Sequence, residues 1–215
     1  MALEALPEVL LVPRGNFDLE DPWAPPPGCE AAAFRSARDG GPVRLATTVA
    51  LWYDSEALSV LFSAADDHVQ ATHLAHDAPL YEEDVFEVFL APLAPTTYYE
   101  LEINPLGTLF DARIDSPDGE RATMHADRGW TCAGLVGAIR VTIGSNGGRA
   151  VDTLLRIPFA SLATVPSEGD RWRGNFFRID RHPIHGNEFS AWRPTLRNPA
   201  DFHVAAAFGT LEFGR

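Results

Sequence analysis

Residues 98–104 read Tyr98-Tyr99-Glu100-Leu101-Glu102-Ile103-Asn104, and this stretch decides the predicted fold. Apolar and polar side chains alternate with a period of two, which is typical of a β-strand with one buried face. One set of side chains is predicted to enter the core: Tyr99, Leu101 and Ile103. The other face carries an aromatic ring, two carboxyl groups and an amide in a row: Tyr98, Glu100, Glu102 and Asn104. Carboxylates and amides bind pairs of hydroxyl groups, and a ring stacks on the apolar face of a sugar, so the row indicates either a sugar site or a solvated sheet face.

A second strand at residues 84–90 is apolar on both faces, which predicts a central strand that is covered on both sides. Glu87 lies in its middle, and a buried carboxylate is costly unless it is paired or hydrogen-bonded. Arg178 is embedded in the apolar run 175–180 and is predicted to be its partner. This pair either closes the core or hydrogen-bonds a ligand at the sheet surface.

Eight further segments carry strand signals: residues 47–53, 58–62, 108–114, 131–143, 149–159, 172–180, 189–192 and 202–213. Turn residues separate them, and Asn146-Gly147-Gly148 is typical of a hairpin turn. Helical character is confined to one turn at residues 159–163. We therefore predict an all-β protein, a β-sandwich or jelly roll of two antiparallel sheets with about nine to eleven strands and minimal helix.

The chain of 215 residues is long enough for one substantial core and is predicted to form a single domain over residues 1–215. Its first 41 residues are rich in Pro and Ala and are expected to form an irregular lead-in that covers an edge of the sandwich. Cys29 and Cys132 keep no metal-binding spacing and are expected to be two separate buried thiols, although a single bridge between them is also possible.

Charge narrows the classes of partner. The sequence has 17 basic and 30 acidic residues and a net charge of −13, which repels phosphate backbones and anionic lipid. We therefore expect no nucleic-acid partner and no membrane. The chain starts without a recognisable signal peptide, so a cytoplasmic location is the default expectation. The sequence does not indicate an oligomeric state.

Aromatic residues flank the two carboxylate-bearing strands. Tyr81 precedes the Glu87 strand, and Trp192 lies in a polar stretch rich in Pro and Arg, which predicts an exposed ring on a loop. Trp52 and Trp172 are assigned to the core, where most Trp residues of β proteins lie.

Together these segments resemble the family 9 carbohydrate-binding modules and their wider DOMON-like relatives. The matching motifs run in order along the chain: Asp21-Pro22-Trp23, Tyr53-Asp54 with Leu58, D-x-x-E-V-F at 84–89, Y-Y-E-x-E-I-N-P-x-G-T at 98–108, Ile157-Pro158-Phe159, N-F-F-R-I at 175–179, W-x-P at 192–194 and a closing F-G-x-L-x-F at 208–213. The resemblance implies a non-catalytic domain that binds a mono- or oligosaccharide and needs no cofactor.

In sugar-binding members of this family, two aromatic rings hold a terminal sugar while Glu, Arg and amide groups take its hydroxyls. The resemblance places Tyr81 where the family has a Trp, six residues before Glu87, and makes Trp192 the second ring. Asn104 matches a family Asn, whereas Glu102 replaces a family Arg. Relatives are often exported and many carry structural calcium, for which Asp66-Asp67 with Asp77 or residues 82–84 offer oxygens. Spacing alone identifies no calcium site, and solvated acidic loops are the preferred interpretation of these residues.

Three other functions compete with sugar binding. Glu87 and Glu102 could be the acid and nucleophile of a glycosidase. A haem-binding redox module would need a Met and a His, and Met124 lies beside His125. A structural or protein-interaction sandwich could retain a degenerate sugar site. His182, His185 and His203 follow the presumed site in sequence and are expected to support it by hydrogen bonds rather than to bind zinc.

Overall fold

Two β-sheets packed face to face carry the regular structure of the computed structural model, which describes residues 7–144 and 148–215. The first sheet has nine strands in the described residues, in the spatial order β1 (Val9–Val12), β14 (Gly209–Phe213), β12 (Arg171–His182), β6 (Val85–Ala91), β7 (Thr97–Ile103), β8 (Leu109–Asp115) and β9 (His125–Asp127), with β13 (Gly186–Ala191) beside β12 and β3 (Arg35–Ser36) beside β13. The second has five, in the order β10 (Val136–Ile143), β11 (Arg149–Pro158), β5 (Ala57–Asp66), β4 (Thr47–Tyr53) and β2 (Ala32–Ala33).

The predicted fold class is confirmed, and each of the ten predicted strand segments overlaps an observed strand. The higher strand count comes from β1, β2, β3 and β9, which have two to four residues each. Three of these lie in the lead-in, which therefore adds short edge strands to both sheets rather than remaining irregular. All strand pairs are antiparallel except β1 with β14. Residues 145–147 of the predicted Asn146-Gly147-Gly148 turn lie outside the described residues, although β10 and β11 pair on either side of it.

The main core lies between the two sheets. Tyr99, Leu101 and Ile103 enter it, as the alternation in residues 98–104 predicts, and they meet apolar side chains such as Phe62 of the facing sheet. Trp172 is buried there as well. Trp52 is also buried as predicted, but on the far side of the five-stranded sheet against Leu61 and Leu154.

A second apolar layer covers the outer face of the nine-stranded sheet and positions the candidate site. Phe89 and Phe177 point outward from the central strands β6 and β12. The turn at Leu80–Glu82 and the segment 200–208 fold over them and contribute Leu80 and Phe202. The outer face is therefore roofed by loops, and a polar cavity remains between them.

The remaining features agree with an all-β chain. Helical structure in the described residues is limited to three single 3₁₀ turns, one of them at Phe159–Ser161 where a helical turn was predicted. None of these turns has the length that a membrane-spanning helix requires. Cys29 and Cys132 are free thiols, which confirms that they are separate, although only Cys132 is fully buried.

Candidate functional site

A cavity of about 310 Å³ opens on the outer face of the nine-stranded sheet. Glu87 of β6 and Glu100 of β7 form its floor, and Tyr81, which is 40% exposed, stands at its rim. The walls add three guanidinium groups and further aromatic rings: Arg121, Arg128, Arg181, Phe110, Phe189 and Phe202. A cavity of this size lies at the lower end of the range of roughly 300–1,000 Å³ that is usual for small-molecule sites.

Three carboxyl groups meet under this cavity. Glu87 pairs in register with Glu102 on the neighbouring strand, and Glu100 lies two positions along β7 on the same face. An oxygen from each of the three groups lies within 4.8 Å of the other two. One oxygen of Glu87 and both oxygens of Glu102 accept no hydrogen bond from any N–H or hydroxyl group in the described parts of the chain. Glu87 therefore has hydrogen-bonding capacity left open in the cavity floor, whereas Glu102 lies below the floor beside Glu100.

Burial shifts the carboxyl groups of this floor toward their protonated forms, because it raises their pKa. It raises the pKa of Glu100 to about 7, against the opposing effects of a hydrogen bond with the Glu102 carboxyl and the charges of Arg121 and Arg128. Burial and the neighbouring carboxylates hold the pKa of Glu87 and of Glu102 well above the usual value. A protonated carboxyl group both donates and accepts hydrogen bonds, which suits a ligand hydroxyl that does the same.

His203 in the cavity wall lies beside Glu100 and is hydrogen-bonded to Tyr98. The Nε2 atom of His203 lies 3.6 Å from Glu100 Oε1, and its Nδ1 atom lies 2.8 Å from the Tyr98 hydroxyl. Burial and then the charge of Arg121 lower the pKa of His203 to about 4, so the ring is neutral at pH 7.

Arg181 links the floor to the rim. Its Nη2 atom donates to the backbone oxygen of Tyr81 at 2.6 Å, which holds the turn that carries the Tyr81 ring. Burial lowers the pKa of Arg181, against the opposing charges of Asp84 and Glu87. Its Nε atom is buried and donates no hydrogen bond within the described residues, so a donor is also available beside the cavity.

The structure divides the predicted site residues into three groups. Tyr81, Glu87 and Glu100 line the cavity. Tyr98, Glu102 and Asn104 are buried beneath it and do not line it. Asn104 instead closes its own turn, because Oδ1 accepts the N–H groups of Leu106 and Thr108 while Nδ2 donates to the backbone oxygen of His73. Arg178 and Trp192 lie on the other side of the sheet.

The prediction that Arg178 is the partner of Glu87 is wrong. Phe177 stands opposite Glu87 in the register, so Arg178, one position later, points toward the five-stranded sheet. Its guanidinium donates to Ala65 O at 2.8 Å and to Thr47 Oγ1 at 3.2 Å on that sheet, and forms ion pairs with Asp66 and Asp180. Arg178 is therefore a structural cross-link between the sheets.

The prediction that Trp192 is an exposed ring is also wrong. Trp192 directly follows β13, and its backbone N–H donates to the backbone oxygen of Phe176. Its indole ring enters the main core. The indole is fully buried, and its centroid lies 5.8 Å from that of Phe176. Gly209 makes room for it, because a Cβ atom at that position would lie 2.1 Å from the indole.

Sequence reasoning missed the groups on the cavity walls. Arg181 lies on the same strand as Arg178 but three positions later, hence on the opposite face. His203 was expected to have a supporting role, and the structure places it in the cavity wall, whereas His182 and His185 lie near Asp67. The sequence does show that Arg178 and Arg181 are an odd number of residues apart and so lie on opposite faces of β12. It does not show which face carries the cavity, because that depends on the register of β12 against β6.

The acidic residues offered for calcium come together only in part. Asp66 and Asp84 converge with Asp180, whereas Glu83 accepts hydrogen bonds from the backbone of Thr72 and His73. Every carboxylate oxygen of the Asp66, Asp84 and Asp180 cluster already accepts a hydrogen bond. Arg178 and Arg44 supply positive charge there, so the arrangement does not fit a calcium ion, and calcium binding stays a prediction.

Comparison with known proteins identifies the family of the chain. The sequence profile of carbohydrate-binding family 9 matches residues 43–213. The chain belongs to carbohydrate-binding family 9. This family consists of non-catalytic modules, so the chain is a family 9 carbohydrate-binding module and not an enzyme, as predicted.

Relatives of this family 9 module include a curated protein and several solved structures. A protein of Arthroderma benhamiae named "Extracellular protein" is 24% identical over 177 residues, which is 78% of each chain. A crystal structure of a Bacteroides uniformis protein proposed to bind carbohydrate superposes with a TM-score of 0.72 at 18% identity, covering 95% of this chain and 98% of that one.

A family 9 module of Caldicellulosiruptor kristjanssonii is also similar in structure. Its complex with cellotriose gives a TM-score of 0.61 at 16% identity over 96% of this chain and 94% of that one. Its complex with glucose gives 0.59 at 15% identity over 96% of both chains. At these identities the superpositions support the shared fold.

Proposed function

We propose that the cavity above Glu87 and Glu100 binds one sugar residue of a neutral saccharide and leaves it chemically unchanged. The observation that carries this proposal is the open hydrogen-bonding capacity of the floor, where a buried Glu87 oxygen has no donor among the described residues. Glucose and cellotriose, the ligands in the structures of the Caldicellulosiruptor module, are the first saccharides to test.

Each polar group has a distinct role in this proposal. Glu87 and Glu100 hydrogen-bond the hydroxyls that enter deepest, and the neutral carboxyl forms favoured by burial both donate and accept. Arg181 donates from the wall through its available Nε–H group. Because these groups come from the rigid strands β6, β7 and β12, they are held in place before the sugar arrives, which reduces the entropy cost of binding.

Tyr81 is the proposed stacking ring. Its side chain remains exposed at the rim, whereas the ring of Phe189 already has two guanidinium groups over it, Arg38 at 4.8 Å and Arg181 at 5.1 Å from its centroid. A single free ring provides less contact than a pair of rings would. We therefore expect modest affinity, with dissociation constants in the millimolar to micromolar range, about −4 to −8 kcal/mol.

Isothermal titration calorimetry with glucose and cellotriose tests this function on the wild-type chain and three variants. Tyr81→Ala removes the stacking ring and Glu87→Gln removes a carboxyl from the floor, so each is expected to weaken binding at least tenfold, about 1.4 kcal/mol. Leu93→Ala serves as the control, because Leu93 is 75% exposed and does not line the cavity.

Two results would contradict the proposal. Unchanged affinity in both Tyr81→Ala and Glu87→Gln would place the sugar elsewhere on the module. Failure of the folded wild-type chain to bind glucose, cellotriose or any saccharide on a glycan array would favour the alternative, a structural or protein-interaction sandwich whose sugar site has degenerated.

A further inference from the structure

A second polar cluster lies away from the cavity, beside the start of β8. His76 Nε2 is 3.3 Å from Asp77 Oδ1 and 3.3 Å from Asp111 Oδ2. Asp111 pairs in register with Leu101, which enters the main core, so Asp111 points to the side of the sheet opposite the cavity. Its carboxylate is 1% exposed, whereas the side chains of His76 and Asp77 are 49% and 35% exposed.

The buried carboxylate of Asp111 lacks a hydrogen bond that its position requires. Asp111 Oδ2 accepts none from the described residues, even though His76 Nε2 is close to it. A charge-assisted N–H···O bond is usually about 2.7–2.9 Å long, so 3.3 Å is long for a direct contact. A tetrahedral zinc ion with bonds of about 2.0–2.1 Å holds its ligand atoms about 3.3–3.4 Å apart, which agrees with both His76 distances.

The surroundings hold these ligands in place. Asp111 Oδ1 accepts the backbone N–H of Cys132 at 3.2 Å, which leaves Oδ2 directed at His76. Asp77 Oδ1 accepts the backbone N–H of Asp111 at 3.3 Å.

The cluster of Asp67, His182 and His185 is a poorer metal site, because a ring nitrogen of His182 is already used in hydrogen bonds. Asp67, His182 and His185 also converge, but His182 Nδ1 accepts the backbone N–H groups of Ile184 and His185 at 3.0 and 3.1 Å. This fixes the proton of the neutral ring on Nε2 and leaves no nitrogen lone pair for a metal. His76 has no such constraint from the described residues.

We propose that His76 Nε2, Asp77 Oδ1 and Asp111 Oδ2 bind a divalent transition metal of the zinc class. An imidazole nitrogen with two carboxylate oxygens is a ligand set for zinc rather than for calcium, which prefers oxygen ligands alone. The exposed side of His76 and Asp77 leaves room for water at the fourth position. The metal ties the segment 67–84, which carries Tyr81, to β8.

Calorimetric zinc titration of the metal-stripped, tag-free chain tests this site, together with the visible absorption of bound Co²⁺. We expect one equivalent of zinc and the Co²⁺ spectrum of a tetrahedral site, with no displacement by excess calcium. His76→Ala and Asp77→Asn are each expected to weaken zinc binding at least tenfold. Asp77→Asn keeps the fold because Asn tolerates the left-handed backbone found at this position, where φ is 62°.

The matched control is His125→Ala, since His125 is exposed on β9 and belongs to none of the clusters found among the described residues. It is expected to bind zinc as the wild type does. Wild-type zinc affinity in His76→Ala, loss of zinc binding in His185→Ala instead, or no zinc binding by the folded wild-type chain would each overturn the proposal.

Discussion

Two buried acidic clusters of this molecule differ in how their charge is neutralised. The Asp66, Asp84 and Asp180 cluster lies where the two sheets meet, and the Glu87, Glu100 and Glu102 cluster lies under the cavity. In each cluster three carboxyl groups approach within 4.8 Å. In the first, Arg178 and Arg44 provide opposite charge and every oxygen accepts a hydrogen bond.

In the second cluster, no glutamate forms a direct ion pair with an arginine of the described residues, although three arginines line the cavity above it. Burial raises the pKa of all three glutamates, as it also does for Asp84 and Asp180 in the first cluster, but three glutamate oxygens accept no hydrogen bond from the described residues. A carboxyl group neutralised by an arginine has used its hydrogen-bonding capacity for the fold. One neutralised by a proton beside a cavity keeps that capacity for a ligand. The comparison therefore separates a cluster that holds the sheets together from one that can bind a sugar.

The largest expected effect comes from breaking the arginine-neutralised cluster. Arg178→Met should lower the free energy of unfolding by about 3–5 kcal/mol, because it leaves Asp66 buried without its ion-pair partner and Asp180 paired only with Arg44. Urea denaturation at pH 7 measures the change. Arg171→Met is the control, since its exposed pair with Glu212 should contribute about 1 kcal/mol or less. A loss below 1 kcal/mol for Arg178→Met would contradict the structural role.

In the Glu87, Glu100 and Glu102 cluster, removing a charge should stabilise the fold rather than destabilise it. Because the pKa of Glu102 rises well above its usual 4.5 on folding, the unfolded state loses this proton first as pH increases. The contribution of Glu102 to stability is therefore fully present below pH 4.5 and is lost as pH rises through the window up to its folded-state pKa. Glu102→Gln removes this penalty and should stabilise the chain by about 1–3 kcal/mol at pH 8, with little effect at pH 5.

Denaturation curves of both proteins at the two pH values measure this difference. Comparing the variant with the wild type cancels the titration of other buried groups such as Asp84, whose pKa burial raises to about 7. Glu56→Gln, on the exposed β4–β5 turn, is the matched control. Equal effects of Glu102→Gln at pH 5 and pH 8 would contradict a protonated floor.

The smallest expected loss of stability comes from Arg44, at the exposed edge of the Asp66, Asp84 and Asp180 cluster. Arg44 donates to Asp180 at 3.1 Å but its side chain is 31% exposed, so water screens the pair. Arg44→Gln should cost about 1 kcal/mol or less in the same urea measurement. A cost as large as that of Arg178→Met would show that burial does not distinguish the two arginines.

The two clusters also show which features of the fold could be predicted from the sequence alone. The faces of residues 98–104 were predictable because one set of alternate side chains is apolar. The run 175–180 is buried on both faces, so the direction of Arg178 depends on the register Phe177 to Glu87, which only pairing with β6 sets. Trp192 follows a polar strand, yet its ring crosses into the core.

Tyr98 and Glu102 show a different reason for error. Both lie on the predicted face of β7, but neither lines the cavity. Tyr98 packs with Phe208 of the segment 200–208, which folds over the strand from more than one hundred residues away. Strand periodicity predicts a face but not the loop that covers it, so the position of the cavity could not be derived from alternation.

The most direct test is a crystal structure of the chain with cellotriose. The cavity assignment predicts a terminal sugar ring against Tyr81, with hydroxyls within hydrogen-bond distance of Glu87 and Glu100. Sugar bound elsewhere, such as in the groove of the five-stranded sheet lined by Leu19, Val136 and Leu154, with the cavity empty, would contradict it.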